Sequence, residues 1–153
     1  MSKIWRIRES GLRYAPVFVV DSSVALATVL PESRSVEARQ LFRRAEKEEI
    51  GLVVPDLFWY EVANALRYRL AGQREEVAVD LRLLAEAPLA TFPLDPVDMA
   101  SVADTALAED LTVYDAAYLV MAQQMGSSVI TEDQKLLTAA GGRFSRSLRE
   151  IGL

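Results

Sequence analysis

Val17-Phe18-Val19-Val20 is apolar at every position and then stops on an acid, Asp21. A half-exposed strand alternates apolar and polar residues, so an unbroken β-branched and aromatic run describes a strand covered on both faces. Gly51-Leu-Val-Val-Pro55 repeats the pattern, and the segments 89–94 and 128–131 are further short strands. Between them lie longer stretches of helical period. Strands alternating with helices specify an α/β fold, a parallel sheet sandwiched by helices.

The helical readings rest on spacing and caps. Asp21-Ser22-Ser23 can cap a helix through 24–30. A second helix starts near Pro31 and Ser33 and places Ala38, Leu41, Phe42 and Ala45 on one face, with Arg34, Arg39, Arg43 and Lys47 largely outside. Asp56 caps a helix over 57–71 that Gly72 closes. Further helices are expected over 74–87, from Pro96 to about 109 with Asp95 as cap, over 114–125 up to Gly126, and from Asp133 to Gly141-Gly142. The tail reads either as a helix carrying Phe144, Leu148 and Ile151 or as an edge strand near 143–147. Residues 3–8, with Trp5 and Ile7 alternating against Arg6 and Arg8, have a strand pattern of their own.

Against this apolar background four acids stand out: Asp21 after VFVV, Glu61 within LFWYEVANAL, Asp115 between LTVY and AAYLV, and Asp133 after VITE. An unpaired carboxylate buried beside apolar surface costs several kcal/mol or takes up a proton. A divalent cation can partner several acids at once. Asp21, Asp115 and Asp133 could each be a simple helix cap, and Glu61 a core-edge acid paired to Arg. Glu61 fits capping poorly, because it lies a turn inside its helix, where Leu57, Glu61, Asn64 and Tyr68 share a face. In a parallel α/β sheet, ligands sit beyond the carboxyl ends of the strands. Asp21 directly follows a strand and Asp133 lies two residues past another, so both belong to that rim. Asp115 has no strand immediately before it.

Composition removes most alternatives. The 153-residue chain contains no cysteine and no histidine, so disulfides, thiolate metal sites and imidazole bases are all excluded. What remains is carboxylate, hydroxyl, Lys, Arg and Tyr chemistry with oxygen-ligated cations such as Mg²⁺ or Mn²⁺. A net charge of −5 argues against a general nucleic-acid coat, although not against a nuclease whose acids hold cations. The length suits one domain. No apolar run reaches membrane-spanning length, and Asp21 interrupts the stretch that would make a signal peptide, so the expected setting is cytoplasmic. Aspartyl-nucleophile phosphatases also place an Asp after the first strand, but they require a second Asp two residues on, where this chain has Ser23.

Four segments, VVDSSVAL at 19–26, VPDLFWYEVANAL at 54–66, LTVYDAAYLVMA at 111–122 and VITEDQKLL at 129–137, occur in the order found in PIN-domain ribonucleases. The chain resembles that family, and most closely the VapC-type toxins of toxin–antitoxin pairs, over residues 17–140. The resemblance implies a three-layer α/β/α sandwich with a central parallel sheet of four or five strands. It implies RNA phosphodiester hydrolysis with one or two Mg²⁺ or Mn²⁺ ions, held principally by Asp21 and Asp115 and completed by Glu61 and Asp133. Ser22, Asn64 and Thr131 match supporting positions. A small antitoxin protein and a homodimer are implied as partners.

Residues 1–16 precede the first family-like strand and are read as an N-terminal extension to a single domain over 17–153. Arg34, Arg39 and Arg43 could contact RNA, although they are interleaved with Glu37, Glu46, Glu48 and Glu49 as a solvated face would be. Phe58, Trp59 and Tyr60 could stack bases, with core packing the expected role. The alternatives are a non-catalytic PIN-like module that binds RNA or a partner, and a housekeeping RNA-processing nuclease.

Overall fold

A computed structural model describes residues 15–71 and 73–151. Five strands, β1 (Val17–Val20), β2 (Gly51–Pro55), β3 (Leu89–Phe92), β4 (Val129–Ile130) and β5 (Ser145–Arg146), form one sheet in the order β3-β2-β1-β4-β5. Every pairing is parallel, with Phe18 opposite Leu52, Val53 opposite Ala90, Val20 opposite Ile130 and Ile130 opposite Arg146. The unbroken apolar runs do lie at the centre: Val19, Val20, Val53 and Val54 have no exposed surface.

The helices are α1 (Ser22–Val29), α2 (Ser35–Glu46), α3 (Leu57–Arg69), α4 (Arg74–Glu86), α5 (Asp98–Glu109), α6 (Val113–Gln124) and α7 (Gln134–Thr138), with short 3₁₀ turns at Ala139–Gly142 and Leu148–Ile151. α1 packs against α2, α3 and α4, while α5 packs against α6. Right-handed crossovers explain the division, because the chain winds outward from β1 to β3 and then back past β1 to β4 and β5. The first excursion leaves α1 to α4 on one face, and the return leaves α5 to α7 on the other.

α6 is apolar nearly all round because it is covered nearly all round. Tyr118, Met121 and Ala122 join the main core, Ala116, Ala117 and Val120 meet Val102 and Ala106 of α5, and Leu119 meets Leu136 and Ala139. Its direction matters for the site. Just after its carboxyl end, the Ser127 hydroxyl donates to the Val17 carbonyl at the amino edge of the sheet. Its first turn therefore lies at the opposite, carboxyl rim.

Several boundaries differ from the sequence expectations for local reasons. α5 starts at Asp98, not at Pro96, because Asp95 Oδ1 accepts from the Val97 amide at 2.9 Å and Asp98 Oδ2 accepts from the Asp95 amide at 3.1 Å, which closes a turn first. α7 is short because Ala140, Gly141 and Gly142 take positive φ of 51°, 66° and 71°. A Cβ on Gly142 would stand a tight 3.2 Å from the Leu137 carbonyl at a φ of 71°, so glycine is favoured there. The tail contains both a brief edge strand and a helical turn. Tyr60, expected in the core, is 79% exposed, whereas Phe58 is fully buried and Trp59 donates from Nε1 to Thr91 Oγ1 at 2.9 Å. The expected strand over 3–8 and the closing role of Gly72 lie outside the described residues. No helix among the described residues is long and apolar enough to cross a membrane.

Candidate metal centre

The strand order reverses between β1 and β4, and in a doubly wound sheet the crevice beyond the carboxyl ends at that point is where ligands bind. Asp21 sits there. Its amide donates to the Ile130 carbonyl at 3.1 Å, continuing the β1–β4 ladder, so its side chain is fixed by the sheet. Asp21 begins α1 by position but makes no side-chain capping bond. Its Oδ2 accepts instead from Ser23 Oγ at 2.7 Å and from Thr131 Oγ1 at 2.8 Å, and the Ser22 hydroxyl lies 3.4 Å from Oδ1. Asp21 is 6% exposed, and its carboxylate is met by the hydroxyls of Ser22, Ser23 and Thr131 and by the Ser22 amide, with no ion-paired Lys or Arg among the described residues. Burial pushes its pKa up, the Ser23 and Thr131 hydrogen bonds oppose that, and the nearby charge of Asp115 adds to it.

Glu61 is a turn into α3 at the same rim. The Tyr118 hydroxyl, brought from α6, donates to Glu61 Oε2. Burial raises the Glu61 pKa, the Tyr118 hydrogen bond lowers it, and the charges of Asp21 and Asp115 raise it further. Tyr118 itself is pushed well above the ordinary phenol range by burial and by the Glu61 carboxylate.

Asp115 lies in the first turn of α6 but is not its cap. Thr112 has that role, its Oγ1 accepting from the Asp115 amide at 3.1 Å while its hydroxyl donates to Asp115 Oδ2 at 2.7 Å. A helix that returns to β4 antiparallel to the strands begins at their carboxyl ends, and this places Asp115 on the rim without a preceding strand. Asp133 does cap α7, Oδ1 accepting from the Leu136 amide at 3.0 Å. Its own amide donates to Thr131 Oγ1 at 3.0 Å, so Thr131 ties Asp133 to Asp21.

Asp21, Glu61 and Asp115 are thus brought within reach of one another's charge, with Asp133 one hydroxyl away. Among the described residues no group of three or more acids is drawn tightly enough to close round an ion as it stands. None of the four is ion-paired to Lys or Arg there. An all-oxygen donor set of mutually destabilising carboxylates, one of them buried without a counter-charge, fits a hard divalent cation.

The remaining candidates are placed elsewhere or indirectly. Asn64 is exposed, and among the described residues no hydrogen bond joins it to the four acids. Arg34 is held by Glu37 at 3.0 Å and by Glu132 at 3.5 Å. Arg39 and Arg43 line a hollow between α2 and α4 with Phe42, Leu83 and Leu84, and that lining includes none of the four acids. Sequence reading missed Ser23, Thr112 and Tyr118 as supports. Tyr118 carried a signal, because a tyrosine amid alanines on a buried helix needs a partner for its hydroxyl.

Residues 18–142 match the PIN domain family. Ribonuclease VapC3 of Pyrobaculum aerophilum is 35% identical over 124 residues, 77% of this chain and 90% of that protein. A crystal structure of a Pyrobaculum aerophilum protein superposes with a TM-score of 0.67 at 23% identity, covering 90% of this chain and 93% of that one. VapC20 of Mycobacterium tuberculosis, described as a sarcin-ricin loop cleaving toxin, gives 0.65 at 14% identity over 81% and 95%. VapBC2 from Rickettsia felis, bound to a DNA fragment from its promoter, gives 0.64 at 7% identity over 86% and 98%. At these identities the structural likeness is one of fold.

Proposed function

The chain belongs to the PIN-domain family, and from that membership and its coupled carboxylates we propose that it is a metal-dependent ribonuclease, the toxin of a type II toxin–antitoxin pair. The observation that carries the metal is Asp21, a buried acid at the switch point that accepts from hydroxyls and has no ion-paired Lys or Arg among the described residues. The 35% identity to a protein named a ribonuclease supports the reaction, and the named toxins and toxin–antitoxin assemblies among the similar structures support the antitoxin partner.

In this reading Asp21, Glu61 and Asp115 would hold one or two Mg²⁺ or Mn²⁺ ions and Asp133, whose capping bond uses only Oδ1, would complete the set. The bound ion supplies neutralisation of phosphate charge and a water acidic enough to attack near neutral pH. The protein does the positioning. Ser23 and Thr131 fix the Asp21 carboxylate, Tyr118 fixes Glu61 and Thr112 fixes Asp115, so these three carboxylates are oriented by hydroxyls. With no histidine in the chain, proton movement falls to water and these carboxylates.

The purified protein is expected to cleave single-stranded RNA with Mg²⁺ or Mn²⁺ and to stop when excess chelator is added. Cleavage that continues in chelator rules the mechanism out.

A further inference from the structure

The acids of the rim do not attract a polyanion. None has a lysine or arginine ion-paired to it among the described residues, and the chain as a whole carries −5. Cations held by the acids would serve the reacting phosphate, but a strand also has to be gripped on either side of it. Base stacking is the remaining term that tolerates any sequence.

Two side chains fit that need. Tyr60 directly precedes Glu61 and is 79% exposed; Tyr114 directly precedes Asp115 and is 63% exposed. Each lies in the first turn of its helix, α3 or α6, and both first turns are at the carboxyl rim. Successive helical residues project about 100° apart, so each ring flanks its carboxylate instead of covering it. Neither ring belongs to the packed clusters, unlike Phe58, Trp59 and Tyr118 on the same helices. Exposed tyrosines scattered over a surface need no explanation. Two of them, each beside an acid of one electrically coupled site, do.

We propose that Tyr60 and Tyr114 form a stacking platform for unpaired bases of an RNA strand laid across the acidic rim. This rests on the ribonuclease reading and adds how the substrate is held. A flat ring accepts any base, so the platform selects single strands and loops over duplex and gives little sequence preference by itself. A second copy of the chain suits these rings less well, because it would bring a second set of acids against the first.

The test uses the full chain with a labelled single-stranded RNA oligomer of mixed sequence, in an Asp21→Asn background so that bound RNA stays intact. Tyr60→Ala and Tyr114→Ala are each expected to weaken binding roughly 5- to 150-fold. Tyr60→Phe, Tyr60→Trp and the matching Tyr114 variants keep a ring and are expected to bind within a few-fold of the reference. In the cleavage-competent chain the alanine variants raise KM while kcat at saturation changes little. The same RNA annealed into duplex binds equally poorly to all variants. Alanine variants that bind single strands as the reference does overturn the proposal. So does a loss of affinity that merely follows dissociation of a dimer in sedimentation, which would assign the rings to a second copy. A chain that binds RNA through both rings but cleaves none retains this inference and refutes the ribonuclease reading. One that cleaves RNA with unchanged KM after both rings are removed does the reverse.

Discussion

The Thr131 hydroxyl donates to Asp21 Oδ2 at 2.8 Å while accepting from the Asp133 amide at 3.0 Å, so one side chain just beyond β4 connects acids that are 112 positions apart in sequence. Thr131 has no exposed surface, and its hydroxyl shares Asp21 Oδ2 with Ser23 Oγ. Thr131→Val keeps the shape and removes both of its hydrogen bonds. Supporting residues of this kind typically change metal affinity by about 10- to 100-fold. That loss is expected for Mn²⁺ binding followed by calorimetry, with Thr131→Ser restoring most of it. A valine variant with unchanged metal affinity would reduce Thr131 to a packing residue.

Asp21→Asn should separate stability from activity. The folded-state pKa of Asp21 is raised above the ordinary unfolded value of about 3.9 by burial, so the native protein holds that proton more tightly than the unfolded chain does. Its favourable contribution is fully present below about pH 3.9 and is lost as pH rises through the folded value. Above that value the metal-free protein carries a buried charge that asparagine lacks. Asp21→Asn is therefore expected to melt higher than wild type by on the order of 5 °C at pH 7 without metal, with the gap closing near pH 4, and to cleave at least about 100-fold more slowly. Melting curves at the two pH values and single-turnover cleavage check both halves.

The central strands were legible because VFVV and GLVVP are short, rich in β-branched residues and apolar at every position, a pattern that suits a doubly covered strand better than a helix. The rim acids were legible because an acid inside or after such a run is conspicuous. What the sequence could not give was direction. Asp115 reaches the rim because α6 returns toward β4, and that orientation follows from the strand order, not from any local residue. β5 was obscure for a related reason: two residues at the sheet edge, Ser145 and Arg146, carry no apolar alternation. Asp133 remained ambiguous because an aspartate at a helix start can cap and bind an ion with different oxygens, and its capping bond occupies only Oδ1.

Metal should stabilise the wild type by answering the charge that the Asp21→Asn change removes. An ion bound only by the native state adds about 2.7 kcal/mol at 100 times its dissociation constant, and the coupled acids must give up any shared proton to take it. Titrating Mn²⁺ at pH 7.5 is expected to raise Tm in the wild type and to leave Asp21→Asn nearly unchanged. The same titration at pH 5 should give a smaller rise, because raised Asp21 and Glu61 pKa values let protons compete. An equal rise at both pH values would show that the ion binds away from these acids.

Tyr118 offers a test that leaves every acid in place. Its ring is fully buried and its hydroxyl donates to Glu61 Oε2, one of the interactions that lowers the Glu61 pKa against burial and the charges of Asp21 and Asp115. Tyr118→Phe preserves the ring and deletes that bond. Stability is expected to fall by about 1 kcal/mol near neutral pH, the usual worth of a hydrogen bond, plus the cost of the carboxylate it leaves less satisfied. The more specific consequence is in the pH profile. With the lowering interaction gone, Glu61 holds its proton to higher pH, so the acidic limb of kcat/KM moves upward while the plateau at high pH is retained in large part. A rate lost equally at every pH would mean that Tyr118 acts by positioning α6, and a profile that does not move would detach Glu61 from the reaction.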